Sequence, residues 1–164
     1  MRTERKLLFM EISNQNNSVR APIVALDLGE KRVGIAVSDA LSIAVTRLEA
    51  LPRTSWKQTL REIDRLVRRF DAQTVVIGLP LRLNGSAGDA ALEARRVAQK
   101  FAKSLSVPVY LQDERLSSTE AEQNLRAEGH KGDKIAKLVD SEAAAVILRD
   151  FLEGGQERIL VAAS

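Results

Sequence analysis

Short runs of strand-forming residues follow one another in the first third of the chain. The segments IVALDLG, RVGIAVSD and SIAVTRLEAL are separated by turn-forming residues, a pattern typical of strands joined by hairpins. We therefore predict three strands in an antiparallel meander. From Thr54 to Phe70 the apolar positions change to helical spacing, which predicts a surface helix. Its other side is basic and carries Arg61, Arg65, Arg68 and Arg69.

The second half alternates strands with helices. The continuous apolar run QTVVIGLP predicts a buried parallel strand, and the loop LRLNGSAGD separates it from a second helix. A fifth strand, VPVYLQDE, precedes SSTE, a capping-box sequence with Ser117 as N-cap and Glu120 three residues later. A last helix is predicted from about Lys134 to Leu152. This order predicts an α/β sandwich built on a five-stranded mixed sheet.

Length and composition indicate the domain organisation. A chain of 164 residues, 45% of them hydrophobic, fits one globular domain. We expect residues 1–20, which end in an Asn-rich stretch, to be a disordered extension, residues 21–155 to form the domain and residues 156–164 to be a tail. No segment has the apolar length of a membrane span or a secretory signal. We therefore expect a cytoplasmic protein without a membrane partner.

Charge and cysteine content restrict the chemistry. The formal net charge of +3 permits a polyanionic partner such as nucleic acid but does not require one. Because the chain has no cysteine, disulfides, thiolate zinc sites and a cysteine nucleophile are excluded.

Three carboxylates occupy positions where a charge is costly. Asp27 lies inside the first strand and Glu114 closes the fifth. Asp140 shares a face of the last helix with apolar residues, because the spacing places it with Ala136, Ala143, Ala144, Ile147 and Phe151. If the two strands are parallel neighbours, Asp27 and Glu114 emerge at one sheet edge, and a helix packed on the sheet can bring Asp140 between them.

Three clustered carboxylates repel one another, so a cation must offset their charge. Hard oxygen ligands without His or Cys favour Mg²⁺ or Mn²⁺ over zinc. A carboxylate site of this type is the usual apparatus for hydrolysing phosphodiester bonds.

Each carboxylate also has an ordinary structural interpretation. Asp27 could accept hydrogen bonds from turn amides, Glu114 could pair with Arg115 in solvent, and Asp140 could cap a helix beginning at Ser141. Their joint placement favours the metal site.

Four segments, DLGEKRVGIAVSD, GLPLRLNGSAG, DERLSSTEA and KLVDSEAAAVIL, resemble in order and spacing the YqgF family, also called RuvX. The resemblance covers Pro22 to Leu152 and implies a ribonuclease H-like three-layer sandwich. It also implies a metal-dependent nuclease that matures the 5′ end of 16S rRNA, with Asp27, Glu114 and Asp140 as acidic triad. Classical junction resolvases and ribonucleases H often carry a fourth acidic residue or histidine where this chain has Ala143. This difference favours RNA cleavage, with a Holliday junction resolvase or other DNA nuclease as the alternative.

Several polar residues are candidates for contact with nucleic acid. Lys31 and Arg32 follow the first strand, where they could hold phosphates or be ordinary hairpin cations. Arg115 lies beside the predicted metal site. Asn84 and Ser86 belong to a loop that could form a substrate flap or a plain flexible connection.

Two other functions are compatible with parts of the sequence. Actin-like and sugar-kinase ATPases also begin with an Asp-x-Gly strand turn, but they bind nucleotide between two lobes and this chain supplies one. A non-catalytic nucleic-acid-binding module would have no use for an acidic cluster where phosphates approach. The sequence leaves a monomer and a homodimer equally open.

Overall fold

The computed structural model of the protein describes residues 19–114, 117–154 and 158–163, which contain six strands and four helices. The strands are β1 (Ile23–Leu28), β2 (Arg32–Ser38), β3 (Val45–Pro52), β4 (Thr74–Leu79), β5 (Val109–Asp113) and β6 (Arg158–Leu160). The helices are α1 (Trp56–Arg69), α2 (Asp89–Ser104), α3 (Ser117–Ala127) and α4 (Asp133–Glu153). The predicted extension lies outside the described residues except for Val19 and Arg20.

The strands form one mixed sheet in the order β3-β2-β1-β4-β5-β6. β1, β2 and β3 pair in antiparallel fashion, so the predicted meander is confirmed. β4 lies parallel to both β1 and β5, and every residue of β4 is buried, as the continuous apolar run predicts.

The prediction of five strands is wrong by one strand. β6 pairs antiparallel to β5, with Gln112 opposite Arg158 and Tyr110 opposite Leu160. It lies in the segment that the sequence indicated as a tail. A strand of three residues is too short to show a two-residue period, so no local pattern distinguishes it from a loop.

Helices cover both faces of the sheet, which gives the three layers. On one face, Leu26 and Ile77 pack with Ile63 of α1 and Phe101 of α2. On the other face, Ala25, Val76 and Tyr110 pack against α4 through Ala144, Ile147 and Phe151. The alternation of consecutive residues between the two clusters follows from the two-residue period of strands. Among the described residues, no helix has both the length and the apolar character needed to cross a membrane.

The helix α4 is fixed in place by a buried carboxylate. Glu142 is 1% exposed and accepts hydrogen bonds from Arg47 Nη1 of β3 at 2.9 Å, from Asn124 Nδ2 of α3 at 3.1 Å and from Arg149 Nη1 at 2.8 Å. A buried charge is tolerated when it is paired in this way. The network therefore fixes the helix two residues from Asp140.

The outermost strand β3 contains a bulge. Val33 of β2 pairs with Leu51, whereas Ile35 pairs with Leu48. Glu49 and Ala50 therefore both lie opposite Gly34, a two-to-one arrangement that bends the strand.

Candidate active site

The parallel strands β1 and β5 bring two of the predicted acidic residues, Asp27 and Glu114, to the same end of the sheet. Leu26 pairs with Ile77, which places the next residue, Asp27, beside Gly78 of β4. Glu114 directly follows β5, and its backbone N–H donates to Leu79 O at 3.1 Å. Asp27 and Glu114 are therefore separated by the width of β4 at the backbone, and their side chains can meet across it.

Glycines on the two neighbouring strands make room for the carboxylates. A Cβ at Gly78 would lie 2.6 Å from Glu114 Cδ, so the missing side chain lets Glu114 extend over β4. On the other side of Asp27, Gly34 is its register partner in β2. A Cβ at Gly34 would lie 1.9 Å from the backbone oxygen of Asp140. Close approach of α4 to β2 at this point therefore requires glycine.

Asp27 and Glu114 are hydrogen-bonded to each other through their carboxyl groups. Burial and the charge of Asp140 raise the pKa of Asp27 to about 6, while the hydrogen bond from Glu114 opposes that rise. Burial and the charge of Asp27 raise the pKa of Glu114 to about 8. The protonated carboxyl is therefore that of Glu114, which donates to the Asp27 carboxylate.

Ser117 also contacts this pair. Its Oγ donates to Glu114 Oε2 at 2.8 Å, which lowers the pKa of Glu114 against the larger effect of burial. The predicted role of Ser117 as N-cap is wrong. The residue lies inside α3, and its hydroxyl bonds to Glu114 instead of to a free amide of the first turn.

Asp140 approaches Asp27 from α4 and is half-buried. Burial raises the pKa of Asp140, and the nearby charge of Arg32 opposes that rise. The Arg32 guanidinium is held beside the helix, where Nη1 donates to Ala136 O at 3.2 Å. The predicted phosphate-binding residue Arg32 thus lies next to Asp140, whereas Lys31 is exposed in the turn before β2.

The remaining candidates for nucleic-acid contact lie in the loop after β4 or outside the described residues. Asn84 Oδ1 accepts hydrogen bonds from the backbone N–H of Ser86 at 2.9 Å and from its Oγ at 2.7 Å. This hydrogen-bonded turn follows β4, so it begins at the same end of the sheet as Asp27 and Glu114. Arg115 lies outside the described residues.

The donor set fits a hard divalent cation, although the side chains do not form a finished cage. Within the described ranges, no three His, Cys, Asp or Glu side chains gather closely enough to hold a metal ion. Two carboxyl groups share a proton and a third interacts with one of them, so negative charge accumulates here and Arg32 beside Asp140 offsets only part of it. Mg²⁺ or Mn²⁺ suits such oxygen donors, with the Glu114 proton as the group that it would displace.

Sequence patterns did not identify every residue at the site. Gln112 lies in β5 two positions before Glu114, is fully buried, and has no hydrogen-bond partner among the described residues for either amide atom. A glutamine directly after the apolar run VPVYL is the sequence signal for it. The roles of Gly34, Gly78 and Ser117 depend on contacts between elements, so no local pattern identifies them.

Comparison with known proteins identifies relatives of similar length. A protein of Anaeromyxobacter sp. (strain Fw109-5) is 40% identical over 131 residues, which are 80% of this chain and 96% of the relative. A protein of Chloroflexus aurantiacus (strain ATCC 29366 / DSM 635 / J-10-fl) is 41% identical over 134 residues, 80% of this chain and 86% of the relative. Both carry the name "Putative pre-16S rRNA nuclease".

Two solved structures share the fold. T. thermophilus RuvC in complex with Holliday junction substrate matches with a TM-score of 0.50 and 15% identity, over 85% of this chain and all of RuvC. The fowlpox virus Holliday junction resolvase matches with a TM-score of 0.51 and 15% identity, over 82% of this chain and 99% of the resolvase. At this identity the comparison concerns the fold alone.

A protein-family model described as "RuvX: Holliday junction resolvase" matches residues 21–154. This range contains all three carboxylates and every described element except β6. With the two relatives near 40% identity, the match shows that this chain belongs to the RuvX family.

Proposed function

We propose that this protein is a Mg²⁺- or Mn²⁺-dependent nuclease that hydrolyses phosphodiester bonds, and that its substrate is the 5′ end of precursor 16S rRNA in the cytoplasm. The observation that carries the proposal is the buried Asp27–Glu114 carboxyl pair with Asp140 beside it. A fold has no use for such a pair in stability, because burial and repulsion both penalise the charged forms. The rRNA substrate is supported by the names of the relatives.

In this function Asp27, Glu114 and Asp140 would hold the metal. A bound divalent cation would supply Lewis-acid stabilisation of phosphoryl oxygens and a water of lowered pKa. Ser117 orients Glu114 through its 2.8 Å hydrogen bond. Glu114 must give up its proton to act as a ligand, so its pKa of about 8 limits the fraction of ready sites at neutral pH.

Contacts to the phosphate backbone of the substrate come from cations near Asp27 and Glu114, at the carboxyl end of the parallel strands. Arg32 lies beside Asp140 and has donors free for a phosphate, because one nitrogen is enough for the bond to Ala136 O. Lys31 is exposed one residue earlier. The loop that carries Asn84 and Ser86, and Arg115 next to Glu114, complete the proposed set of contacts.

Cleavage assays test this proposal. A labelled precursor 16S rRNA fragment and a four-way DNA junction are incubated with wild type or Asp27→Asn in Mg²⁺, Mn²⁺ or EDTA. We expect metal-dependent cutting of the RNA by wild type only, because asparagine cannot supply the carboxylate charge. If neither substrate is cut although both proteins bind RNA equally, a non-catalytic binding module replaces the nuclease.

A second candidate is cleavage of branched DNA, which the description of the matching family model favours. The chain has Ala143, 1% exposed in the core, where classical resolvases often carry another acidic or histidine side chain. Cutting of the junction but not of the RNA in the assay above would select this candidate.

A further inference from the structure

A groove runs between the edge strand β3 and the helix α4. It has a volume of about 640 Å³, and the residues that line it include Arg32, Leu48, Ala50, Lys137, Leu138 and Ser141. This volume is in the range of pockets that enclose a single small ligand. The groove therefore has room for about one or two nucleotides of a single nucleic-acid strand.

Two of the residues that line the groove connect it with the candidate active site. Ser141, in its wall, directly follows Asp140, and Arg32 lies close enough to Asp140 to affect its pKa. The Ser141 hydroxyl donates to Leu48 O at 2.6 Å and accepts from the Ile35 N–H at 3.3 Å. These two bonds fix α4 to β2 and β3, so the groove and the carboxylates belong to one rigid arrangement.

The cations that line the groove differ in their availability. Arg47 is already engaged, since its guanidinium contacts Glu142 at 2.9 Å and Glu128 at 3.0 Å. Within the described ranges Arg32 makes one hydrogen bond, to the backbone oxygen of Ala136, and its charge also acts on Asp140. Lys137 is exposed and has no ion-pair partner among the residues that the structure describes. Glu49 is the carboxylate that lines the groove, so two available cations exceed one anion.

The chemistry of the walls indicates which ligand they suit. Ala50 and Leu138 supply apolar surface beside the cations, which can cover sugars and base edges. None of the described lining residues is aromatic, so bases cannot stack there. Phosphate contacts would then dominate, and binding would depend on salt more than on sequence.

We infer that this groove holds the single-stranded part of the nucleic acid that continues from the cleaved phosphate. Arg32 and Lys137 would each contact one phosphate of that strand. The inference rests on the proposed function, because it takes the carboxylates as the point of cleavage. The inference adds Lys137 to the contacts proposed at the carboxyl end of the parallel strands. It also gives the path of the nucleic acid, which runs between β3 and α4.

Salt-dependent binding tests the inference without any cleavage. Fluorescence anisotropy with a labelled single-stranded RNA in EDTA gives the slope of log K against log salt concentration. Lys137→Ala should reduce this slope by about 0.7, the value for one phosphate contact of a single strand. The matched control is Lys103→Ala, an exposed lysine of α2 on the opposite face of the sheet, which should leave the slope unchanged.

Three further arms make the result decisive. If the groove recognises phosphate charge, Lys137→Ala should reduce the slope equally for single-stranded DNA of the same sequence. A reduced slope for RNA alone would assign the site to RNA. Duplex RNA should bind more weakly than the single strand. The double variant Arg32→Ala and Lys137→Ala should have a slope reduced by about 1.4 relative to wild type.

The inference is overturned if Lys137→Ala and Lys103→Ala have equal slopes, if duplex RNA depends on Lys137 as much as the single strand does, or if wild type binds no single strand. Failure of the proposed nuclease function gives a different result. In that case the Lys137 effect on binding persists, while Mg²⁺ or Mn²⁺ produces no cleavage.

Discussion

Glu114 donates a hydrogen bond to Asp27, so two carboxylic acids share one proton inside the protein. The arrangement needs Gly78, whose missing side chain leaves the space that the Glu114 carboxyl occupies. A proton and a divalent cation would compete for the same oxygens. Stability, metal affinity and activity should therefore all depend on pH through this pair.

Without metal, the protein should lose stability as the pH rises from about 4 to about 8. The pKa values of Asp27 and Glu114 in the folded state, about 6 and about 8, lie above their ordinary values of 3.8 and 4.5. Groups of this kind contribute stability below the unfolded pKa, and the contribution is lost as the pH passes the folded pKa.

Glu114→Gln should flatten this decline by on the order of 5 kcal/mol, because the pKa of Glu114 rises from 4.5 to about 8 and each unit of pKa corresponds to about 1.4 kcal/mol. Urea unfolding in EDTA across the same range measures the effect. Glu122→Gln, at an exposed position of α3, is the control and should retain the wild-type curve. A wild-type curve that rises towards pH 8 would contradict the shared proton.

Divalent metal should stabilise the protein, and more so at pH 8.5 than at pH 6, because binding requires loss of the Glu114 proton. At 100 times its Kd, a ligand adds about 2.7 kcal/mol of unfolding free energy. For a chain of this size, that corresponds to an increase in Tm of about 5–10 °C. Thermal unfolding with Mg²⁺ or Mn²⁺ against EDTA measures the effect.

Asp27→Asn should abolish the metal-induced increase in Tm. Asp150→Asn is the matched control, since burial also raises the pKa of Asp150 to about 6 but this residue does not belong to the pair. Equal increases in both variants would place the metal elsewhere.

Ser117→Ala should shift the pH profile of cleavage upward. The lost hydrogen bond holds the pKa of Glu114 down, so its removal raises that pKa further, by up to about one unit for a bond worth about 1 kcal/mol. Cleavage rates from pH 6 to pH 9.5 test this. Ser118→Ala, at the next and exposed position, should keep the wild-type profile, and an unchanged Ser117→Ala profile would assign the hydroxyl no part in the site.

Gly34→Ala should destabilise the fold by several kcal/mol, because the new Cβ would lie 1.9 Å from a backbone oxygen of α4 that cannot move independently. Chemical denaturation measures the loss. Gly88→Ala is the comparison, since its nearest neighbour is the flexible side chain of Arg82 at 3.2 Å, and it should cost less than about 1 kcal/mol. Equal stability of the two variants would contradict the close approach of α4 to β2.

Local patterns predicted most of the elements. The meander follows from short strand-forming runs, the buried strand β4 from a continuous apolar run and the helix α1 from helical spacing. The predicted last helix agrees with Asp133–Glu153 to within one residue at each end. The approach of Glu114 to Asp27 follows from one further rule, that parallel strands end at the same edge. Their role as metal ligands remains a prediction.

What the sequence could not reveal depends on contacts between distant segments. Ser117 has the local sequence of an N-cap, but Glu114 binds its hydroxyl and so overrides the local preference. β6 is defined by its pairing with β5 and not by its own three residues. The groove is lined in part by Glu49 and Ala50 of the bulge in β3, and this bulge comes from the register of two strands.

That bulge has a consequence for how molecules of this protein meet one another. Among the described residues β3 is the end strand of the sheet, and a regular end strand of eight residues would be a template on which a second molecule could add a strand. Glu49 and Ala50 interrupt the ladder, so an incoming strand would have to reproduce the same irregularity to stay in register. The residues that shape the groove therefore also protect the protein from edge-to-edge aggregation.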